Sequence, residues 1–378
     1  MVASASSSRP VIVTARASKV SQLVGDIDFE RKQPTLNLTT SRYKLLATDL
    51  GIPFWHKDRT YLLFGDSHGG GSGDAIGYTF DAIADKDLRL DFIHDSTGTY
   101  QPLTIPGIQL GDYEVPTEGV SVDGRMYVYA TTDSIHGEGW AVMGRSVLAV
   151  SDDDGQSFKS IYDLSKETFI NVSIEQVNSA DWKGLPVKSE DGLVIFGSGK
   201  YRKSNVYLAF QSAKDIEYSP AIRYWSGLDS AGQPMWSTFE NKSQPLFDQP
   251  CVGEFSVTYN RFIDKWIMLY NCDLPNLRGI ILRTADQPWG PWSSAQIIFH
   301  PWDDQGYCHF MHASWLFRQC DQVNDPVREN VWGGEYGPYQ FSNFATGDSS
   351  STMIYFTMST WNPYTVVLMK AELGLTAD

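Results

Sequence analysis

Basic charge is what this sequence is short of. Thirty Lys and Arg stand against 45 Asp and Glu, a formal net charge of −15. A surface of that sign repels phosphate backbones and anionic lipid, which excludes nucleic acid and membrane surfaces as partners. Long apolar runs are missing as well, and nothing approaches the 18 or so residues that cross a bilayer. The opening stretch Met1–Arg9 lacks the apolar segment of a secretory leader. Either the chain is not exported by that route or its leader has been removed. Helical periodicity is equally scarce, with no clean run longer than about ten residues. Cysteine is limited to four residues.

Glycine and aromatics are plentiful instead: 32 Gly and 13% Phe, Trp and Tyr among 378 residues, with 42% hydrophobic content. That composition favours a strand-and-turn protein with a sizeable core. The organising stretch is Asp49–Asp66, in which Ile52–His56 and Thr60–Phe64 flank the polar break Lys57-Asp58-Arg59. This is the pattern of a β-hairpin, whose open end brings Asp49 beside Asp66.

The unit recurs. Glu118 precedes Gly119–Val122, which turns at Asp123-Gly124 into Arg125–Ala130. Leu185–Lys188 turns at Glu190-Asp191-Gly192 into Leu193–Phe196, and Glu254 precedes Phe255–Tyr259 and Lys265–Tyr270. Tyr339–Ala345 turns at Gly347-Asp348 into Thr352–Met358. Each hairpin is followed by one more strand-like run, and the spacing of roughly 55 to 80 residues suits propeller blades. The expectation is an all-β, five-bladed β-propeller in a single domain over 18–378, after a flexible segment 1–17. Ser18–Val24 is expected to complete the last blade and remove its free edge.

In a propeller the first strands line the axis, so Asp49, Asp66, Glu118 and Glu254 should meet at one mouth. Paired carboxylates there suit acid–base work on a glycosidic bond. His68, in a glycine-rich rim loop, and Lys200 and Arg202, at the exit of the third hairpin, are candidate substrate contacts. So are His312, Trp361 and Asn362. His68-Gly69-Gly70-Gly71 resembles an esterase oxyanion loop, but the chain has no Gly-x-Ser-x-Gly elbow. His309 and His312 have metal-ligand spacing without an evident acidic partner, so no metal and no cofactor is expected. Ser151–Phe158 has the Asp-box pattern, read as a solvated outer turn in which Asp153 bonds backbone amides. Cys251 and Cys272 flank the fourth hairpin and could bridge; Cys308 and Cys320 bracket a loop. Four buried thiols is the open alternative. Asn37, Asn171 and Asn241 begin Asn-x-Ser/Thr triplets, which lean toward an extracellular protein; a monomer is expected.

Seven phrases, taken in order, carry a resemblance. They are Ala47–Gly51, Leu63–Asp66, Pro116–Gly119, Gly197–Ala209, Gly253–Val257, Gly290–Ser293 and Met358–Tyr364. Over residues 40–373 the chain resembles the domain, long catalogued as of unknown function, now assigned to glycoside hydrolase family 183. The resemblance implies a five-bladed propeller and endo-D-arabinanase activity on the D-arabinan of arabinogalactan and lipoarabinomannan. Two readings compete with it. A carbohydrate-binding propeller would need the aromatic rim but not converging carboxylates. A sialidase would need an arginine cluster, for which Arg202, Arg42 and Arg283 are the candidates. A same-hairpin pair, Asp49 with Asp66, implies retention of anomeric configuration. A pair across the axis leaves room for water and implies inversion, which an open mouth favours.

Overall fold

The computed structural model describes residues 9–377 except 138–139, 273 and 275–276, without the side chains of 136–137 and 140–141. Aromatic and branched residues fill successive positions of its strands, so single strands are apolar on both faces. In Arg59–Gly69, Tyr61 and Leu63 enter one apolar cluster while Leu62 and Phe64 enter another. Such a strand needs a sheet on either side, and a closed ring of sheets supplies this for every strand.

The ring has five blades. Their innermost strands are Leu45–His56, Pro116–Val122, Asn171–Asn178, Phe255–Asn260 and Glu335–Gln340. Each packs against the next, and Glu335–Gln340 packs back against Leu45–His56. Antiparallel strands extend each blade outward. Five apolar clusters fill the five gaps between blades. Side chains also stitch the inner strands together: Ser173 Oγ accepts from Val257 N at 3.0 Å, and Ser256 Oγ donates to Pro338 O at 2.6 Å.

Val11–Gln22 lies on the outside of the fifth blade, antiparallel to Tyr364–Leu375, and closes it as expected. It begins earlier than the sequence suggested. Residues 11–17 belong to the strand and not to a flexible segment; residues 1–8 of that segment lie outside the described residues. Blade three also differs. Its inner strand is Asn171–Asn178, paired with Asp191–Ser198 across a 12-residue connection, whereas 185–188 lies in that connection. The fifth inner strand likewise starts at Glu335 and not at Tyr339.

Both cysteine pairs are bridged, Cys251–Cys272 and Cys308–Cys320, with Cα–Cα distances of 5.3 and 5.1 Å. Asp153 staples the Asp-box turn, accepting from Ser157 N at 2.8 Å, while Phe158 is buried beneath it. Two of the three triplet asparagines, Asn37 and Asn171, are buried and so are closed to glycosylation; Asn241 is exposed. Among the described residues no helix is long and apolar enough to cross a membrane.

Candidate active site

The loops at one end of the ring enclose a cavity of about 620 Å³. Its acids come from the hairpin ends. Asp49 pairs with Gly65 in the ladder, so Asp66 follows directly beside it. A Cβ at Gly65 would lie 2.8 Å from Asp49 Oδ1, so only glycine leaves room for that carboxyl. Asp66 has φ 41°, and its N–H donates to Asp74 Oδ1 at 2.8 Å, which helps hold this left-handed backbone. Glu254 enters from the start of the fourth inner strand. Tyr201, Arg202 and Lys203 hang over from blade three, Tyr336 and Trp361 from blade five, and Trp332 from the segment that precedes blade five.

The three carboxyls have different electrostatic surroundings. Tyr201 Oη donates to Glu254 Oε1 at 2.6 Å, and Arg202 Nη2 lies 3.4 Å from both Glu254 oxygens. Burial pushes the Glu254 carboxyl up, but the Arg202 charge and the tyrosine hydroxyl outweigh it and hold it below the usual range. Asp49 is pushed far the other way, first by burial and then by the Asp66 charge. Tyr336 Oη donates to Asp49 Oδ2 at 2.9 Å, and the hydroxyls of Tyr364 and Tyr336 both oppose the rise. Asp66 is raised by burial to about 6, against two hydrogen bonds from Tyr113 N. The surroundings therefore favour the ionised form of Glu254 and the protonated form of Asp49. Carboxyls driven apart in this way are what acid and base roles require.

Tyr336→Phe isolates one part of this arrangement. Losing the hydroxyl should move Asp49 further up and, by leaving a buried oxygen without its hydrogen bond, cost about 1–3 kcal/mol. Carbon-13 NMR titration of the Asp49 carboxyl checks this; an unchanged or lowered midpoint contradicts it.

Of the residues read from the sequence, Asp49, Asp66, Glu254, Arg202 and Trp361 all line the cavity. His68 sits at its edge, exposed, its ring 5.5 Å from that of Tyr364. Lys200 is exposed outside the lining, where Lys203 takes part instead. Glu118 does not reach this mouth. It lies further down the axis, accepting from Ser173 Oγ and Ile174 N of the next blade, in a second cavity of about 240 Å³. Tyr339 borders both cavities.

His312 and Asn362 are not ligand contacts either; both are fully buried. His312 Nδ1 bonds Asp321 at 2.6 Å and Nε2 bonds Glu329 O at 2.8 Å. Asn362 donates to Arg328 O and Val331 O and accepts from Asp325 N. Asp321 is the acidic partner not evident from the sequence, but the Cys308 and Cys320 thiols near it are spent in a disulfide. Of the three arginines read as candidates for a sialidase grip, only Arg202 lines the cavity. Arg42 is engaged by Asp91 and Arg283 by Tyr270 and Gln249, while Arg202 is paired with Glu254.

Sequence reasoning missed Tyr201, Tyr336, Trp332 and the buried Asp74. Tyr201 stands beside Arg202, and Tyr336 opens the fifth inner strand; neither carries a signal that separates it from other strand-end tyrosines.

Residues 35–370 match the family described as "Domain of unknown function (DUF4185)". No curated protein matches the chain. Among solved structures, an exo-beta-1,3-galactanase from Phanerochaete chrysosporium is 7% identical with a TM-score of 0.47, over 93% of this chain and 64% of that one. A GH43_1 enzyme from Xanthomonas citri is 11% identical with a TM-score of 0.46, covering 97% and 92%. The Bacillus subtilis arabinanase Arb43A is 10% identical with a TM-score of 0.41, covering 85% and 94%.

Proposed function

The chain belongs to the DUF4185 family, and from the acidic cavity that this domain builds we propose that it is a glycoside hydrolase. Its substrate is a neutral polysaccharide with furanosidic linkages, D-arabinan of the arabinogalactan and lipoarabinomannan type, cut within the chain. The reading of the substrate rests on the sequence resemblance. The reading of the chemistry rests on one observation: Glu254, bonded by Tyr201 and Arg202, and the buried Asp49 share a cavity lined by Trp332, Trp361 and tyrosines.

Asp49, held as the acid, donates its proton to the leaving glycosidic oxygen. Glu254, held as the base by Arg202 and Tyr201, takes a proton from the attacking water. The Asp66 charge, after burial, favours the protonated form of Asp49. Because Asp49 and Glu254 come from different blades, inversion of the anomeric configuration is the expected outcome. Proton NMR of the first-formed reducing end tests it, and a retained configuration overturns it. Two disulfides and a surface rich in acid suit an exported protein acting outside the cell.

The primary test is incubation of the protein with a panel of furanosyl and pyranosyl polysaccharides, followed by product analysis. Oligosaccharides released from D-arabinan support the full reading. Release from another furanoside corrects the substrate alone. Binding without any release makes the protein a lectin.

A further inference from the structure

The segment 300–334, between blades four and five, is built as a rigid shelf. Cys308–Cys320 closes it from within. His312 is locked between Asp321 and Glu329 O, and Asn362 ties down Arg328 O, Val331 O and Asp325 N. Among the residues this scaffold presents to solvent are large apolar ones: Phe317 is 68% exposed and its neighbour Leu316 82%. Trp302 is 38% exposed.

These rings connect to the cavity. Phe317 lies 5.7 Å from Trp302 and 5.4 Å from Trp332, and Trp302 lies 6.0 Å from Trp332, all between ring centroids. Trp332 itself lines the acidic cavity, as does Trp361, over which Arg328 is held at 4.6 Å. An aromatic surface thus leaves the cavity at Trp332 and runs outward over Phe317 and Trp302. Exposed apolar surface of this extent marks an interaction site, because leaving it in water is unfavourable. A shelf already fixed by buried hydrogen bonds loses little conformational freedom when a ligand docks.

We infer that the Trp332–Phe317–Trp302 ridge is a distal glycan subsite, binding the sugar residues that extend beyond the bond held in the cavity. The inference rests on the glycan-hydrolase reading of that cavity. Its occupant is argued from continuity: any polymer threaded past Trp332 meets Phe317 next. Sugar rings present C–H faces that pack on aromatic faces, while their rim hydroxyls reach polar neighbours such as the exposed Arg318 and Gln319. The ridge makes the protein favour long chains over short oligosaccharides.

The test compares wild type, Phe317→Ala, Phe317→Tyr and Trp302→Ala on arabinogalactan and on a tetrasaccharide from its digest. Phe317→Ala should raise KM for the polymer by about tenfold, several times more than for the tetrasaccharide, with Tyr restoring it. Affinity electrophoresis of each variant in arabinogalactan gels should show the same order of retardation. If wild type cleaves the polymer and Phe317→Ala matches it, the ridge is not a subsite and the hydrolase reading stands. If wild type neither cleaves nor is retarded by any polysaccharide of the panel, both readings fall. If Phe317→Ala instead turns a dimer into a monomer in sedimentation velocity, without affecting polymer retardation, the ridge is a contact between copies.

Discussion

Glu254→Gln is expected to lower kcat on D-arabinan by about 10³-fold while leaving the thermal midpoint nearly unchanged. The amide keeps a carbonyl oxygen that accepts from Tyr201 and Arg202, so the loop over blade three stays anchored. What disappears is the negative charge that activates water. Asp49→Asn should have a similar effect for the opposite reason, since an amide accepts from Tyr336 but cannot protonate a leaving oxygen. Both variants should still bind the polymer, which separates lost chemistry from lost binding.

The pH profile then assigns the acid. Glu254 must be ionised, so activity falls in acid as its carboxyl takes a proton. The acid must be protonated, so activity falls in alkali as it loses one. An alkaline limb near pH 6 that disappears in Asp66→Asn would identify Asp66, whereas a limb that persists in that variant identifies Asp49. The two aspartates interact, so the limb belongs to the pair, and Asp66→Asn should move it to lower pH by removing the charge that raises Asp49. Retention of more than about a tenth of wild-type kcat by Glu254→Gln would rule out its role as base.

The fold was legible because short apolar, aromatic-rich runs recur and the turns between them carry Asp-Gly or similar signals. It failed where the turn signal and the strand separate. Asn171–Asn178 is divided from its partner by 12 residues, and the nearer run at 185–188 was taken for the strand. The acids at the mouth were legible for a geometric reason, since residues at hairpin ends must gather at the rim of a propeller. That rule placed Asp49, Asp66 and Glu254 together, yet it misplaced Glu118. A register shift between Pro116 and Glu118 leaves Thr117 at the mouth and carries Glu118 down the axis. One inserted residue changes where a side chain points, and no composition rule reveals it. His312 and Asn362 show the complementary limit. Polar residues in an aromatic phrase can touch a ligand or hold a loop, and only the buried partners Asp321, Glu329 and Arg328 decide which.

The position of Glu118 gives the other large expected effect, on stability. It is 6% exposed, and burial raises its carboxyl from 4.5 to about 8 despite hydrogen bonds from Ile174 N, Gly119 N and Ser173 Oγ. In the unfolded chain it titrates near the ordinary value. Between about pH 4.5 and 8 the native protein therefore holds a proton that the unfolded chain has lost, and stability falls as pH rises through that window. Below the window both states are protonated and the penalty vanishes; above it both are ionised and the penalty is complete, on the order of 5 kcal/mol. Glu175, in the same cavity and also raised to about 8 by burial, adds a smaller penalty of the same sign because it is partly exposed. Glu118→Gln removes the largest part, and by removing a neighbouring charge it also eases the ionisation of Glu175. The variant should match wild type at pH 5 and melt several degrees higher at pH 9. Thermal unfolding at pH 5, 7 and 9 measures the difference. Parallel curves for the two proteins would mean that Glu118 is ionised in the native state throughout, with the axial cavity wet enough to hold its charge.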